Sequence, residues 1–315
     1  MTHVLVARVV RSGFDEGAHY GTAVAIDAAG QVVASLGDPA APMFPRSSVK
    51  PLQAVALLRA GLDLDDELLA LVASSHSGER FHLDGVQRIL ASAALDVSAL
   101  RNTPDLPLDD AERLDWQRAG RAPSSLAQNC SGKHAGMLAA CAINGWPTAS
   151  YLGAGHPLQV AIAATVTELT GAPPAAVGVD GCGAPLFATS AVGLARAFAR
   201  LATGDPHTDE GRVARAIRNH PEWVGGTGRD VTELIRGVPG LIAKDGAEGV
   251  YAAAMPDGRA AVVKIADGAA RARLVVLTAA LRRLGVDAAV LDELGTTAVL
   301  GHGVPVGAVH PVDLV

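Results

Sequence analysis

Aromatic side chains make up only 3% of the 315 residues, and three cysteines stand alone in the whole chain. So few aromatic rings argue against a platform for stacking bases or sugars. Three thiols, Cys130, Cys141 and Cys182, are an odd and sparse set that makes no secreted disulfide framework. No block of basic residues appears and the net charge is -6, which excludes nucleic acid as an expected partner. The longest apolar stretches, such as Leu274 to Leu281, are too short to span a bilayer, so no membrane association is expected. Met1-Thr2-His3-Val4 lacks the basic and apolar regions of a signal peptide, and the chain reads as cytoplasmic. Repeats and low-complexity segments are missing too. With 49% hydrophobic residues, the chain can bury a large core.

Strand signals gather at the two ends. Val4 to Val10, Thr22 to Ile26 and Val32 to Leu36 are β-branched runs, the last following the turn at Asp27-Ala28-Ala29-Gly30, and predict an antiparallel meander. Near the C-terminus, Gly249 to Met255 and Arg259 to Ile265 flank Pro256-Asp257-Gly258, a hairpin signal, and Val304 to Val309 reads as a last strand. Between the ends, Leu64 to Val72, His82 to Leu95, Met137 to Ile143, residues 158–170 and residues 188–202 carry helical spacing. Asn102 to Ser125 is irregular and charged, and reads as a long loop. The expected fold class is α+β. One antiparallel sheet is drawn from both chain ends, about 1–45 plus 240–315, with a helical lobe over about 46–239, all in a single catalytic unit of residues 1–315.

The stretch richest in chemistry is Phe44-Pro45-Arg46-Ser47-Ser48-Val49-Lys50-Pro51-Leu52-Gln53. Pro45 ends what precedes it and an apolar helical run follows, so Ser47 and Lys50 fall at a helix start, three residues apart and on one face. Serine needs an adjacent base to become a nucleophile, and a lysine can be that base. Read without the rest of the chain, the same pair is an N-cap serine followed by a solvated lysine. Two further segments follow in order. Ala73-Ser74-Ser75-His76-Ser77-Gly78-Glu79 offers a second hydroxyl, or else a capped interhelical loop, and Val263-Lys264-Ile265 ends a strand with a lysine. Ser-x-x-Lys, a later serine and a late lysine mimic the layout of the penicillin-recognising serine enzymes, although neither S-D-N nor K-T-G is matched in full there.

Cys130-Ser131-Gly132-Lys133 and Asp180-Gly181-Cys182 form a fourth group. Two thiolates suit zinc, whereas a lysine amine ligates only when deprotonated. The alternatives are a redox-sensitive cysteine pair and simple buried thiols. Cys141, on an apolar helix, reads as core. His134 reads either as a neighbour of the cysteine site or as a helix cap, His76 as ordering its loop, and Arg46 as pairing with an acidic side chain or else contacting a substrate carboxylate. Gly225-Gly226-Thr227-Gly228 lacks the lysine and the preceding strand of a phosphate-binding loop.

Taken together, these blocks resemble the class 3 asparaginases, the thermolabile rhizobial type also called the asparaginase II family. The resemblance rests on Val10 to Phe14, Phe44 to Pro51, Ser74 to Glu79, Cys130 to Met137, Asp180 to Pro185, Lys244 to Val250 and Lys264 to Gly268. It implies hydrolysis of the side-chain amide of L-asparagine, a fold similar to glutaminases and serine β-lactamases, and a homodimer. By the resemblance Ser47 is the nucleophile, Lys50 its base, and Ser75 the second hydroxyl paired with Lys264, Ser77 being the other candidate for that role. It associates Cys130, Lys133 and Cys182 with a zinc ion that shapes the pocket, and calls for no organic cofactor. Rival readings are a glutaminase or β-lactam-type hydrolase on the same fold, and a non-catalytic amino-acid-binding protein.

Overall fold

The computed structural model describes residues 2–314, so Met1 and Val315, the two ends of the sheet segments, lie outside it. Among the described residues twelve strands are formed: β1 (Val4–Arg11), β2 (Phe14–Ile26), β3 (Val32–Leu36), β4 (Pro42–Met43), β5 (Val177–Val179), β6 (Pro185–Phe187), β7 (Thr189–Ser190), β8 (Ile242–Gly246), β9 (Val250–Ala254), β10 (Ala260–Ile265), β11 (Thr297–Gly301) and β12 (Val304–Pro311). The main sheet runs β11-β12-β1-β2-β10-β9-β8, with β3 added to β2, and every pairing is antiparallel. β4–β7 and β5–β6 make two short ribbons. The expected meander is present, but β2 is longer than its β-branched core and reaches back to Phe14. It pairs β1 through Phe14 to Gly21 and β10 through Gly21 to Ile26, and so joins the two ends of the chain in one sheet.

Helices fill the middle: α1 (Lys50–Arg59), α2 (Asp66–Val72), α3 (Arg80–Ser92), α4 (Asp110–Arg118), α5 (Ser131–Ile143), α6 (Pro157–Thr170), α7 (Ala191–Thr203), α8 (Asp209–Asn219), α9 (Pro221–Val224) and α10 (Asp230–Gly237), followed late in the chain by α11 (Arg273–Arg283) and α12 (Val290–Leu294). Local chemistry sets their ends. Ser190 accepts from Gly193 N at the start of α7, Thr208 from Gly211 N at α8, and His156 from Leu158 N just before Pro157 of α6. The stretch Asn102 to Ser125 is not all loop. Asp109 caps α4 by accepting from Ala111 N and Glu112 N.

Every residue of β9 is buried, and α7 and α11 both pack on β2, β9 and β10. The two helices therefore cover opposite faces, which accounts for the near-continuous apolar run of β10. α1 is buried over nine of its ten residues and packs against α5, α6 and α8. No helix among the described residues is long and apolar enough to cross a membrane.

Three histidines, His76, His82 and His134, are fully buried. Burial holds all three below the usual histidine range, His82 down to about 4. Between that value and the ordinary 6.5 the unfolded chain binds a proton that the folded one refuses, so stability is complete above about 6.5 and is lost as pH falls toward 4. His82 alone accounts for about 3 kcal/mol on this scale. We expect the melting temperature to drop steeply over that interval, and His82→Gln, which can still donate to Glu222 O, to flatten the drop; an equally steep curve in the variant would count against this origin.

Candidate active site

The turn that carries Ser47 is a single 3-10 turn, Arg46–Val49, leading directly into α1. Pro51 sits in the first turn of that helix, where its missing N–H costs nothing. The turn lies against β8, and Ser48 Oγ donates to Lys244 O at 3.0 Å. Gly246, at the end of β8, is required by this approach, because a Cβ there would stand 2.9 Å from Pro45 O. One end of the sheet is thereby clamped to the start of the most buried helix, with a cavity of about 650 Å³ between them. Ser47, Ser75, Asn129, Arg229, Asp245 and Arg273 line it.

Lys50 is 1% exposed and uses its amine on three partners: Ser74 O at 2.5 Å, Ser75 Oγ at 3.1 Å and Cys130 Sγ at 3.2 Å. The structure thus brings Lys50 and Ser75 together, with Ser47 on the wall of the same cavity. Of the two hydroxyls in the Ser74 to Glu79 segment, Ser77 is otherwise engaged. Its Oγ donates to Glu79 Oε1 and Gly225 O, while Glu79 accepts from Thr227 N and Oγ1. The glycine run serves this contact: Gly226 has φ 140°, and a Cβ there would overlap Ser77 Oγ.

Lys264 is not brought to Ser47. Its amine donates to Glu248 O and Ile265 O, and it lines a different cavity, beside Arg46 and Glu248. The reason is strand order. β10, which carries Lys264, lies inside the sheet, whereas the edge strand β8 borders the Ser47 turn. The strand lysine on that side is Lys244, fully buried and bonded to Asp245 O and the Asp245 carboxylate. Burial pulls Lys244 down to about 8. The Asp245 charge opposes that shift, and the charge of nearby Lys50 adds to it.

Asp245 anchors the rest of the wall. Arg229 donates to it at 2.9 Å and to Ser75 O at 3.3 Å, and Arg273 donates to Asp230 at 2.7 Å and Gly246 O at 3.3 Å. Burial would raise the Asp245 carboxyl, but Lys244, Arg229 and Arg273 outweigh it and hold the group well below the ordinary range. Sequence reasoning gave no role to Lys244, Asp245, Arg229 or Arg273. Lys244-Asp245-Gly246, closer to K-T-G than Lys264-Ile265-Ala266, was the available signal for the first two; the arginines carry none.

The fourth group is also assembled. Lys133 Nζ lies 3.2 Å from Cys182 Sγ, and Cys130 and Cys182 interact. A hydrogen bond from Cys182 together with Lys50 and Lys133 holds the Cys130 thiol well below its usual range, although burial opposes this. Lys133 is pulled down by burial but raised on balance by Cys182, Cys130 and Asp180. Among the described residues no three His, Cys, Asp or Glu side chains gather as a metal site, so a metal here would take two thiols and the Lys133 amine, which must first lose its proton. Arg46 pairs with Asp180 at 2.8 Å, as its sequence position suggested. His134 is bonded to the Tyr151 hydroxyl at 2.8 Å and caps nothing; His76 meets Ser131 Oγ at 2.8 Å and fixes its loop. Cys141 is core, and burial pushes its thiol up to about 11.

Two hydroxyls, two guanidinium groups and a carboxylate around one cavity, with the Lys50 amine against one of the hydroxyls, are the equipment of a hydrolase. Comparison of sequences gives the particular family: residues 7–311 match L-asparaginase II, and the chain belongs to that family, an enzyme acting on amides. Among curated proteins none matches the sequence. Similar solved structures include a β-lactamase (Mb2281c) from Mycobacterium bovis, 18% identical over 84% of this chain and 94% of that one with a TM-score of 0.46. Another is EstCE1, a hydrolase with promiscuous acyltransferase activity, 15% identical over 89% and 93% with a TM-score of 0.41.

Proposed function

We propose that the protein hydrolyses L-asparagine to L-aspartate and ammonia by a serine–lysine mechanism, as a class 3 member of its family. The observation that carries this reading is the wall of the Ser47 cavity, where guanidinium groups (Arg229, Arg273) and a carboxylate (Asp245) stand beside two hydroxyls. A free amino acid needs both signs of charge for its α-carboxylate and α-ammonium, and its side-chain amide then meets Ser47. Ser47 Oγ attacks the amide carbon, its proton passing to the Lys50 amine, and ammonia leaves with a proton delivered through Ser75. Water then cleaves the aspartyl ester by the reverse relay. In this reading Lys244, on the strand that borders the Ser47 turn, takes the role that the sequence pattern gave to Lys264.

A zinc ion would be held by Cys130, Lys133 and Cys182, where it would supply positive charge. The three cysteines are free, in keeping with a reducing cytoplasm. The family resemblance supports a homodimer.

Purified protein should release ammonia from L-asparagine far faster than from L-glutamine and leave nitrocefin intact; preference for either of the other two would reassign the substrate. If Lys244 works as a neutral amine, kcat/KM rises about tenfold per pH unit below 8 and levels off above it, because deprotonation supplies the active form. A profile flat from pH 6 to 9 would remove Lys244 from proton transfer.

A further inference from the structure

A second cavity, of about 530 Å³, lies behind the Ser47 turn. Two short segments separate it from the first. Ser47 and Ala247 face the Ser47 cavity, while their neighbours Arg46 and Glu248 face the second one. Both of these neighbours hold left-handed backbone, φ 49° at Arg46 and 58° at Glu248, a conformation that non-glycine residues rarely adopt. The partition is thus built by two strained turns whose side chains line the second cavity.

The second cavity has its own recognition chemistry. Met43, Phe44 and Leu186 give it an apolar wall, and the Phe44 ring is 40% exposed. Lys264 fixes two of its three N–H groups on Glu248 O and Ile265 O, leaving one for a ligand. The Glu248 carboxylate, 59% exposed, stands beside it as an acceptor, 3.5 Å from Arg46. Arg46, also in the lining, is taken up by Asp180 and Glu248, which leaves the Lys264 N–H as donor and the second Glu248 oxygen as acceptor beside the apolar wall, a pair that suits a zwitterion with an apolar side chain; a phosphate would meet the carboxylates of Glu248 and Asp38, and a fatty acid would leave Glu248 unused.

We infer that this second cavity binds a free apolar α-amino acid of the leucine class, its carboxylate on Lys264 and its ammonium on Glu248, and that it is an effector site for the Ser47 cavity across the shared partition. The ligand site is independent of the asparaginase reading; the effector role rests on it.

Calorimetry on Ser47→Ala protein, which removes turnover, tests both. L-Leucine should bind, and 4-methylpentanoate and isoamylamine, each lacking one charge, should bind at least about tenfold more weakly, the loss expected for one charge-assisted hydrogen bond. Lys264→Met and Glu248→Gln should each weaken leucine by a similar factor. No leucine binding, equal binding of 4-methylpentanoate, or insensitivity to both variants would overturn the site. Saturating L-asparagine should change the leucine affinity by twofold or more and then level off, with leucine changing asparagine affinity by the same factor. A shift that grows without limit would put leucine in the Ser47 cavity. An unchanged leucine affinity with asparagine bound would overturn the effector role, and absence of asparagine binding would fault the proposed substrate while the Lys264 and Glu248 variants still decide the site.

Discussion

Ser47→Ala is expected to lower ammonia release from L-asparagine by a factor on the order of 10³ or more, without unfolding the protein. The neighbouring hydroxyls make the contrast sharp. Ser48, not Ser47, joins the turn to the sheet through Lys244 O, and it is completely buried. Ser48→Ala should therefore cost about 1–2 kcal/mol of stability by leaving that buried carbonyl short of a partner. The two adjacent variants should separate: one loses chemistry at unchanged melting temperature, the other loses melting temperature while keeping its chemistry. Normal turnover in Ser47→Ala would refute the nucleophile assignment.

The second large effect concerns which lysine serves Ser75. Lys244→Met is expected to reduce kcat/KM by on the order of 10²- to 10⁴-fold, the range for loss of a positioned proton-transfer group. Lys264→Met should stay within about threefold, as its amine lies in the other cavity. Asp245 keeps Arg229 after Lys244 is removed, so its buried charge is not stranded and the variant should fold. The reverse ranking, a large loss at Lys264 and little at Lys244, would restore the pairing suggested by sequence.

Why chain order and topology point to different lysines is instructive. Lys244 and Lys264 both sit near the ends of strands late in the chain, and chain order alone does not say which strand borders the Ser47 turn. Only the order β2-β10-β9-β8 says so, and it is fixed by non-local pairing. By contrast, the Ser47–Lys50 turn was readable, because Pro45, Pro51 and the apolar run after it are local signals with local causes. Ser75 was readable as a hydroxyl in a polar segment, but its separation from Ser77 was not. That choice depends on Gly225 and Glu79 holding Ser77, some 148 residues apart in the case of Gly225. Helix α5 begins at Ser131, earlier than its apolar run suggests. Gly132 and Gly136 look like breakers but admit Leu71 and Val72 against the helix; a Cβ on Gly132 would lie 2.4 Å from Leu71 O. Arg229 and Arg273 left no trace in the sequence, since an arginine lining a cavity and one on a solvated helix look alike until the chain is folded.

The covalent intermediate offers the most direct test. Protein quenched in acid during L-asparagine turnover and digested should show an aspartyl ester on the peptide carrying Ser47, and Ser47→Ala should show none. An ester found on Ser75 or on any other side chain would contradict the account.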